Sequence, residues 1–307
     1  MLNLVWLKSF TTLVQHRRFQ AAAQALGIAQ PTLSQHIQKL EEQLGALLIR
    51  RSKTGCEPTK AALALMPLAL SMLQLDERAR EVVSGTRLRV GASSNIGIYM
   101  LQPYVSTFKN IPAVPELDLV IDNNPNIARQ LTSGELDIAV MEWWHPKSGF
   151  QAMDWRQEPV VLITSPDHPC AEWHEIDRKT LAGMSLLGGE PGTGTGRLLA
   201  SFFGERGPVP KVSMQLGSTE AVKQAVKAGL GVSLVLAACV EAEIRAGTLC
   251  AIPVSDAGLA KNLSVICPET LARQPPVSTF VSHICQCKTS DIFRAREGVW
   301  AAKNRCY

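Results

Sequence analysis

RFQAAAQALGIAQPTLSQHIQKLEEQLG, residues 18–45, reads as two helices joined by a tight turn, the second shaped to lie on DNA. Phe19, Ala22, Ala23 and Leu26 recur at helical spacing and predict a buried face. Gly27 follows, the residue type that most readily ends a helix in a left-handed conformation. Pro31 suits a first helical turn, where its missing N–H is no loss. From there Leu33, Ile37, Leu40 and Leu44 form the predicted buried face of the second helix. The opposite face carries Thr32, Ser34, Gln35, Gln38 and Lys39, side chains able to hydrogen-bond base edges or phosphates. Acidic residues appear only afterwards, at Glu41 and Glu42. An ordinary solvated helical hairpin also has a polar face. The tight turn, the Gln30-Pro31 start and the basic stretch that follows weigh towards DNA. Residues 49–55, IRRSKTG, predict a short hairpin, the wing that touches the phosphate backbone in a winged helix-turn-helix.

Charge agrees. Residues 1–60 hold eight Lys/Arg and three acidic residues, a net +5, whereas the whole chain is +4, so the other 247 residues sum to −1. A cation-rich module on a near-neutral body suits a nucleic-acid partner at the N-terminal end and something else elsewhere.

At 307 residues, 46% hydrophobic and 19% charged, the chain has room for two or three globular cores. The start lacks the basic segment of a secretory signal. The longest uncharged apolar stretch in the first third, residues 61–75, is 15 residues long, short of the roughly 20 that cross a membrane. A cytoplasmic protein with no membrane partner is therefore expected. The eight cysteines are dispersed, with no C-x-x-C pair and no zinc spacing, so free and mostly buried thiols are expected, and no metal site. Cys285 and Cys287 leave a redox role open.

After Thr59, a suitable N-cap, a long helix is predicted to about residue 83. Ala61, Leu65, Leu68, Met72, Leu75, Ala79 and Val82 make a heptad seam, read either as a core helix or, favoured here, as a dimer contact. Pro67 within it should kink the helix. The polar residues 78–86 mark a domain boundary.

From residue 88 the pattern becomes strand, polar loop, helix, repeated. Strands are predicted at 88–92, 117–121, 136–141, 159–163, 184–187, 212–216, 232–235 and 263–267, with a single helix from 95 to 108 and others ending at 133, 203 and 228. Alternation of this kind predicts a mostly parallel sheet with ligands at the carboxyl ends of its strands. Two such units with two chain crossings describe a clam-shell binder of a small molecule. The loop GGEPGTGTG, residues 188–196, fails the Walker pattern for want of a Lys, and Arg197 breaks G-x-G-x-x-G. It reads either as a plain helix cap or as a seat for a carboxylate, sulfonate or phosphate. Glu142-Trp143-Trp144, just past the third strand, reads either as facing the cleft, with Trp144 the ring expected against a ligand, or as one Trp in the core and the other on the lobe surface. No triad, paired-carboxylate or P-loop constellation appears; Glu135 and Asp137 read as strand-edge caps, so an enzyme is not expected.

With these residues laid out, the chain resembles the LysR-type transcriptional regulators to about residue 285. The resemblance rests on the 19–26 helix, Gln30-Pro31-Thr32-Leu33-Ser34, Leu40-Glu41-Glu42-Gln43-Leu44-Gly45, Leu48-Ile49-Arg50-Arg51, Gly134-Glu135-Leu136-Asp137-Ile138-Ala139 and Ala228-Gly229-Leu230-Gly231-Val232. Departures are Ala29 for a capping Ser, Ile49 for Phe, Pro58 for Leu and Ala62 for Gly. The implied fold is α/β: a winged helix-turn-helix (1–58), a long linker helix (59–86), a two-lobed periplasmic-binding-protein-like effector domain (87–287; lobe I 87–160 and 266–287, lobe II 161–265) and a tail (288–307). The implied function is ligand-responsive regulation of transcription, without a cofactor and with a small co-inducer as effector. The implied partners are double-stranded promoter DNA, a second copy in a homodimer or homotetramer, and RNA polymerase. Gln30, Pro31, Thr32, Ser34 and Gln35 would then meet bases and nearby phosphates, joined by Gln38 on the same face. Arg51 and Lys53 would meet the backbone. Ser93, Ser94, Asn124, Thr193 and Thr195 fall in the implied effector pocket, with Trp144 beside them. The alternative is a small-solute-binding protein without a DNA-directed role.

Overall fold

A computed structural model describes residues 2–52, 55–189, 193–204, 207, 209–255 and 259–286. Lys53, Cys287 and the tail from 288 lie outside these residues, and for Arg51 only the backbone is described. The chain divides into two compact units, Met1–Thr86 and Arg87–Tyr307.

The first unit is built on α1 (Leu4–His16), α2 (Phe19–Leu26), α3 (Gln30–Leu44), a hairpin of β1 (Ile49–Ser52) and β2 (Gly55–Pro58), and α4 (Lys60–Ser84). Left-handed residues end the first three helices: Arg17 at φ 56°, Gly27 at 65° and Gly45 at 64°. Leu7, Phe10 and Leu13 of α1 bury themselves against Ala22 and Ala23 of α2 and Leu33, Ile37 and Leu40 of α3. Leu44, predicted to share that face, is exposed, because it is the last helical residue before Gly45 turns the chain away. Helix α4 continues through Pro67. The bond lost there would have reached the carbonyl of Leu63, an exposed residue where water can substitute. Ala62 and Ala69 of α4 are buried in this unit's core, while Leu68 and Leu75 of the heptad seam are exposed.

The second unit is organised around a seven-stranded sheet in the order β10-β6-β11-β5-β3-β4, with β9 also paired to β6. Its strands are β3 (Arg87–Ser93), β4 (Glu116–Asp122), β5 (Ile138–Met141), β6 (Phe150–Thr164), β9 (Ser233–Leu236), β10 (Cys250–Pro253) and β11 (Ala260–Pro268). Only β3, β4 and β5 are mutually parallel; every pairing of β6 and β11 is antiparallel. The expectation of a mostly parallel sheet is thus corrected to a mixed one. The physical reason is β6, a 15-residue strand whose first half pairs with β11 in the first lobe and whose second half carries β9 and β10 in the second. A separate parallel pair, β7 (Ser185–Leu187) and β8 (Lys211–Met214), completes the second lobe.

The first lobe's helices are α5 (Ser94–Tyr99), α6 (Gln102–Phe108), α7 (Asn124–Thr132) and α12 (Pro275–Gln286); the second lobe's are α8 (Arg178–Ala182), α9 (Gly194–Phe203), α10 (Thr219–Lys227) and α11 (Glu241–Arg245). The single helix predicted over 95–108 is two, since Pro103 lies in the first turn of α6 and gives a fresh start there. Tyr104 stacks edge-on with Trp155 at 5.5 Å and Phe108 with Phe280 at 5.0 Å, closing the first lobe's core. Asp137 is consumed by β3: its Oδ2 accepts from the Arg89 N–H at 2.8 Å, as a strand-edge cap would. Among the described cysteines, Cys56, Cys170, Cys239 and Cys267 are buried and Cys285 is exposed. Among the described residues no helix is long and apolar enough to cross a membrane.

Candidate DNA-binding face and effector cavity

Helix α3 presents Gln30, Pro31, Thr32, Gln35, Gln38 and Lys39 to solvent, with Ser34 half-buried at the edge of that face. The rest of the helix is fastened from behind. His36 Nδ1 pairs with the Ser9 hydroxyl of α1 at 2.8 Å, and Lys39 lies over the Trp6 ring at 5.7 Å. Gln38 donates to Glu42 at 2.9 Å, so one predicted reading residue is engaged along its own helix. Glu41, read as merely following the reading face, has a definite task. Its Oε1 accepts from the backbone N–H groups of Leu48 (2.7 Å) and Ile49 (3.0 Å) and so sets where the hairpin leaves the helix.

The wing is docked on the α1–α2 turn. The Cys56 N–H donates to the Arg17 carbonyl at 2.9 Å. A Cβ on Gly55 would stand 2.5 Å from that carbonyl oxygen, so the position admits only glycine without displacement. Arg17 and Arg18, which the sequence reading counted as charge only, are exposed at this junction beside the wing. The start of α3 is its weak point: Ala29 stands at the N-cap with no side-chain bond to offer. Ala29→Ser is expected to stabilise this unit by about 1 kcal/mol and raise its melting temperature by about 4–8 °C. Scanning calorimetry on the full chain checks it; an unchanged transition would mean the first turn is held by packing alone.

In the second unit, a cavity of about 600 Å³ lies between the lobes. Ser93, Ser94, Asn124, Thr193 and Thr195 line it. Trp144 does not: it packs on Phe150 (5.6 Å) among Ile127, Leu131 and Ile266, and Trp143 faces the cavity instead. Consecutive residues of an extended chain point to opposite sides, and the turn is anchored by Asn124, whose Nδ2 donates to the Trp143 carbonyl (2.9 Å) while its Oδ1 accepts from the Glu142 N–H (3.1 Å).

Three helices of nine or ten residues open onto the cavity. Asn123 caps α7, Thr193 caps α9 and Ser218 caps α10, each accepting from the N–H three residues on. Their remaining N–H groups and dipoles favour negative charge in the space they face. The Ser93 hydroxyl is buried at the cavity wall with no hydrogen-bond partner.

Sequence reasoning singled out Glu142 but missed the charged partners with which it spans the cleft. Lys261 on β11 bonds Glu142, and both side chains are buried. Asn95 of α5 donates to Glu142 Oε1 at 3.0 Å and accepts from the Thr219 hydroxyl of α10 at 2.7 Å. Tyr99 of α5 donates to Glu220 at 3.2 Å, while Lys223 meets Glu220 at 3.0 Å and Glu243 at 2.7 Å. Hydrogen bonds from Gln224 and then Lys223 hold the Glu220 carboxyl down at about 2. Burial pushes the Cys239 thiol well up, and the nearby carboxylates of Glu142 and Glu158 push it the same way. A lysine beside the apolar alternation Leu263, Val265, Cys267 was the one visible signal for Lys261. Among the described residues, no group of His, Cys, Asp and Glu is placed to hold a metal ion.

Residues 4–63 match the model described as a bacterial regulatory helix-turn-helix protein of the lysR family, and residues 83–286 match the LysR substrate binding domain. The chain is 55% identical over 196 residues to the putative HTH-type transcriptional regulator protein PtxE of Stutzerimonas stutzeri, across 64% of this chain and 100% of PtxE. It is 31% identical over 288 residues to the HTH-type transcriptional regulator CbbR of Sinorhizobium medicae, across 91% of each chain. Full-length CbnR complexed with its target DNA has a similar fold, with a TM-score of 0.68 at 21% identity over 93% of this chain and 99% of that one. So has the C206 mutant of Corynebacterium glutamicum OxyR, with a TM-score of 0.62 at 24% identity over 98% and 95%.

Proposed function

The chain belongs to the LysR family of regulators, a ligand-responsive DNA-binding transcriptional regulator and not an enzyme, and we propose which of its residues read DNA and which hold the effector. Its helix-turn-helix removes the alternative of a solute-binding protein without a DNA-directed role. Gln30, Pro31, Thr32, Ser34, Gln35 and Gln38 meet bases and nearby phosphates from α3. Arg51 and Lys53 of the wing meet the backbone, joined by exposed Arg50, Arg17 and Arg18. The exposed leucines of α4 pair two copies into a dimer that reads two half-sites, and two dimers make a tetramer. The protein acts in the cytoplasm and meets RNA polymerase at the promoter.

The effector is a small anion bearing a carboxylate, sulfonate or phosphate, held by Ser93, Ser94, Asn124, Thr193 and Thr195 with Trp143 against it. The observation that carries this is the convergence of the starts of α7, α9 and α10 on one cavity with an unpartnered buried Ser93 hydroxyl. The effector acts through different contacts in two arrangements of the lobes.

Two measurements test the reading. Genomic fragments captured by the purified chain should share a palindromic site. Thr193→Trp, which fills the cavity, should bind that site as the wild type does, while the neighbouring promoter no longer changes output under conditions that switch the wild type. A folded variant that loses DNA binding would overturn the division of labour between the two units.

A further inference from the structure

We propose that Glu142 is a built-in anion that holds Lys261 until an anionic effector displaces it. The inference rests on the cavity being the effector site. Four observations carry it.

Lys261 lines the cavity and is buried, and its ammonium, which has three protons to give, is bonded to Glu142 Oε2. That ion pair sits against the first residue of α9. A Cβ on Gly194 would lie 2.6 Å from Glu142 Oε2 and 2.8 Å from Lys261 Nζ, so glycine is what lets the helix start approach the pair. Anions are favoured at that end of a helix, and here the protein's own carboxylate occupies the place. The Ser93 hydroxyl on the cavity wall is buried without a partner, which is a contact left for something else to make. Finally, Glu142 Oε1 accepts from Asn95, whose Oδ1 accepts from Thr219 of the other lobe.

The consequences follow from charge. A second anion within reach of Lys261 faces Glu142 at like charge, so the two exchange rather than share. Exchange takes the carboxylate away from both Lys261 and Asn95 and so breaks the chain Lys261–Glu142–Asn95–Thr219 that crosses the cleft. Effector binding is thereby coupled to the contacts between the lobes.

The test is sulfate binding and thermal unfolding of the full chain at constant ionic strength, with sulfate replacing chloride up to about 50 mM. Glu142→Gln keeps the shape and removes the competing charge. It is expected to bind sulfate about tenfold or more tightly than the wild type, and its melting temperature should rise with sulfate more than the wild type's does. Lys261→Met in the Glu142→Gln background should abolish that gain. Glu142→Asp, which shortens the reach to Lys261, should lie between wild type and Glu142→Gln and serves if the amide variant does not fold. Equal sulfate affinity in wild type and Glu142→Gln, or a gain that survives Lys261→Met, overturns the displacement and leaves the anion site standing. Failure of every folded form to bind sulfate overturns both readings.

Discussion

Raising monovalent salt from 50 to 200 mM is expected to weaken binding of the chain to its operator by about 10³-fold or more. The first sixty residues carry eight Lys/Arg against three acidic groups, and the rest of the chain is close to neutral. Arg17, Arg18, Lys39 and Arg50 are exposed around α3 and the wing, with no acidic group competing at the reading end of α3. Two such modules in a dimer bring about six or more phosphate contacts, each releasing counterions on binding. A plot of log affinity against log salt checks the count. A slope shallower than about −3 would mean that the basic residues do not engage the backbone, and that affinity comes from base contacts or shape. Removing Arg17 and Arg18 together deletes about four contacts per dimer and should flatten the slope by about four if both touch phosphate. Thr32→Ala should leave the slope alone and lose discrimination between sites, since base contacts specify while phosphate contacts position.

How much of this was legible follows from range. The recognition helix was readable because its signals are local: Gly27 as terminator, Pro31 in the first turn, and Leu33, Ile37 and Leu40 one helical face apart. Leu44 was misplaced because the same periodicity continues to the last helical residue, where nothing remains to pack on. The first half of β6 was missed because Asp154, Arg156 and Glu158 interrupt any apolar pattern; Glu158 is buried only because Arg156 and the Ala238 N–H bond it. The caps around the cavity were legible one by one, since Asn123, Thr193 and Ser218 are ordinary N-cap residues. That three of them face one space was not, nor that Lys261 reaches Glu142 across 119 residues of sequence. For Trp143 and Trp144, alternation says that the rings point opposite ways without saying which side holds the cavity.

Lys223→Met should then cost the effector unit about 3–5 kcal/mol, lowering its melting temperature by about 10 °C. Lys223 is only 3% exposed, and its ammonium lies 2.7 Å from Glu243 and 4.8 Å from the centre of the Tyr99 ring. Burial alone would lower its affinity for a proton, but the bonds to Glu243 and Glu220 more than offset this and raise it above the ordinary lysine value. Glu220 is depressed, so its share is complete above its unfolded value and is lost only as pH falls towards about 2. Lys223 is raised, so its share is complete below its unfolded value and is lost only in strong alkali. The network is therefore fully charged at neutral pH. The exposed Glu220 contributes little to the cost. The loss comes from Glu243, whose Oε2 is buried without a bond and whose remaining cation would be Lys227 at 3.4 Å. Glu243→Gln added to Lys223→Met should recover much of the loss, because the stranded charge is gone. Tyr99 stands on the first lobe and Lys223 on the second, so the single variant should also loosen closure and blunt the response to effector more than binding to DNA. Urea unfolding of the single and double variants decides it: a single-variant cost below about 1 kcal/mol would place Lys223 among the solvated surface pairs and remove it from the machinery that joins the lobes.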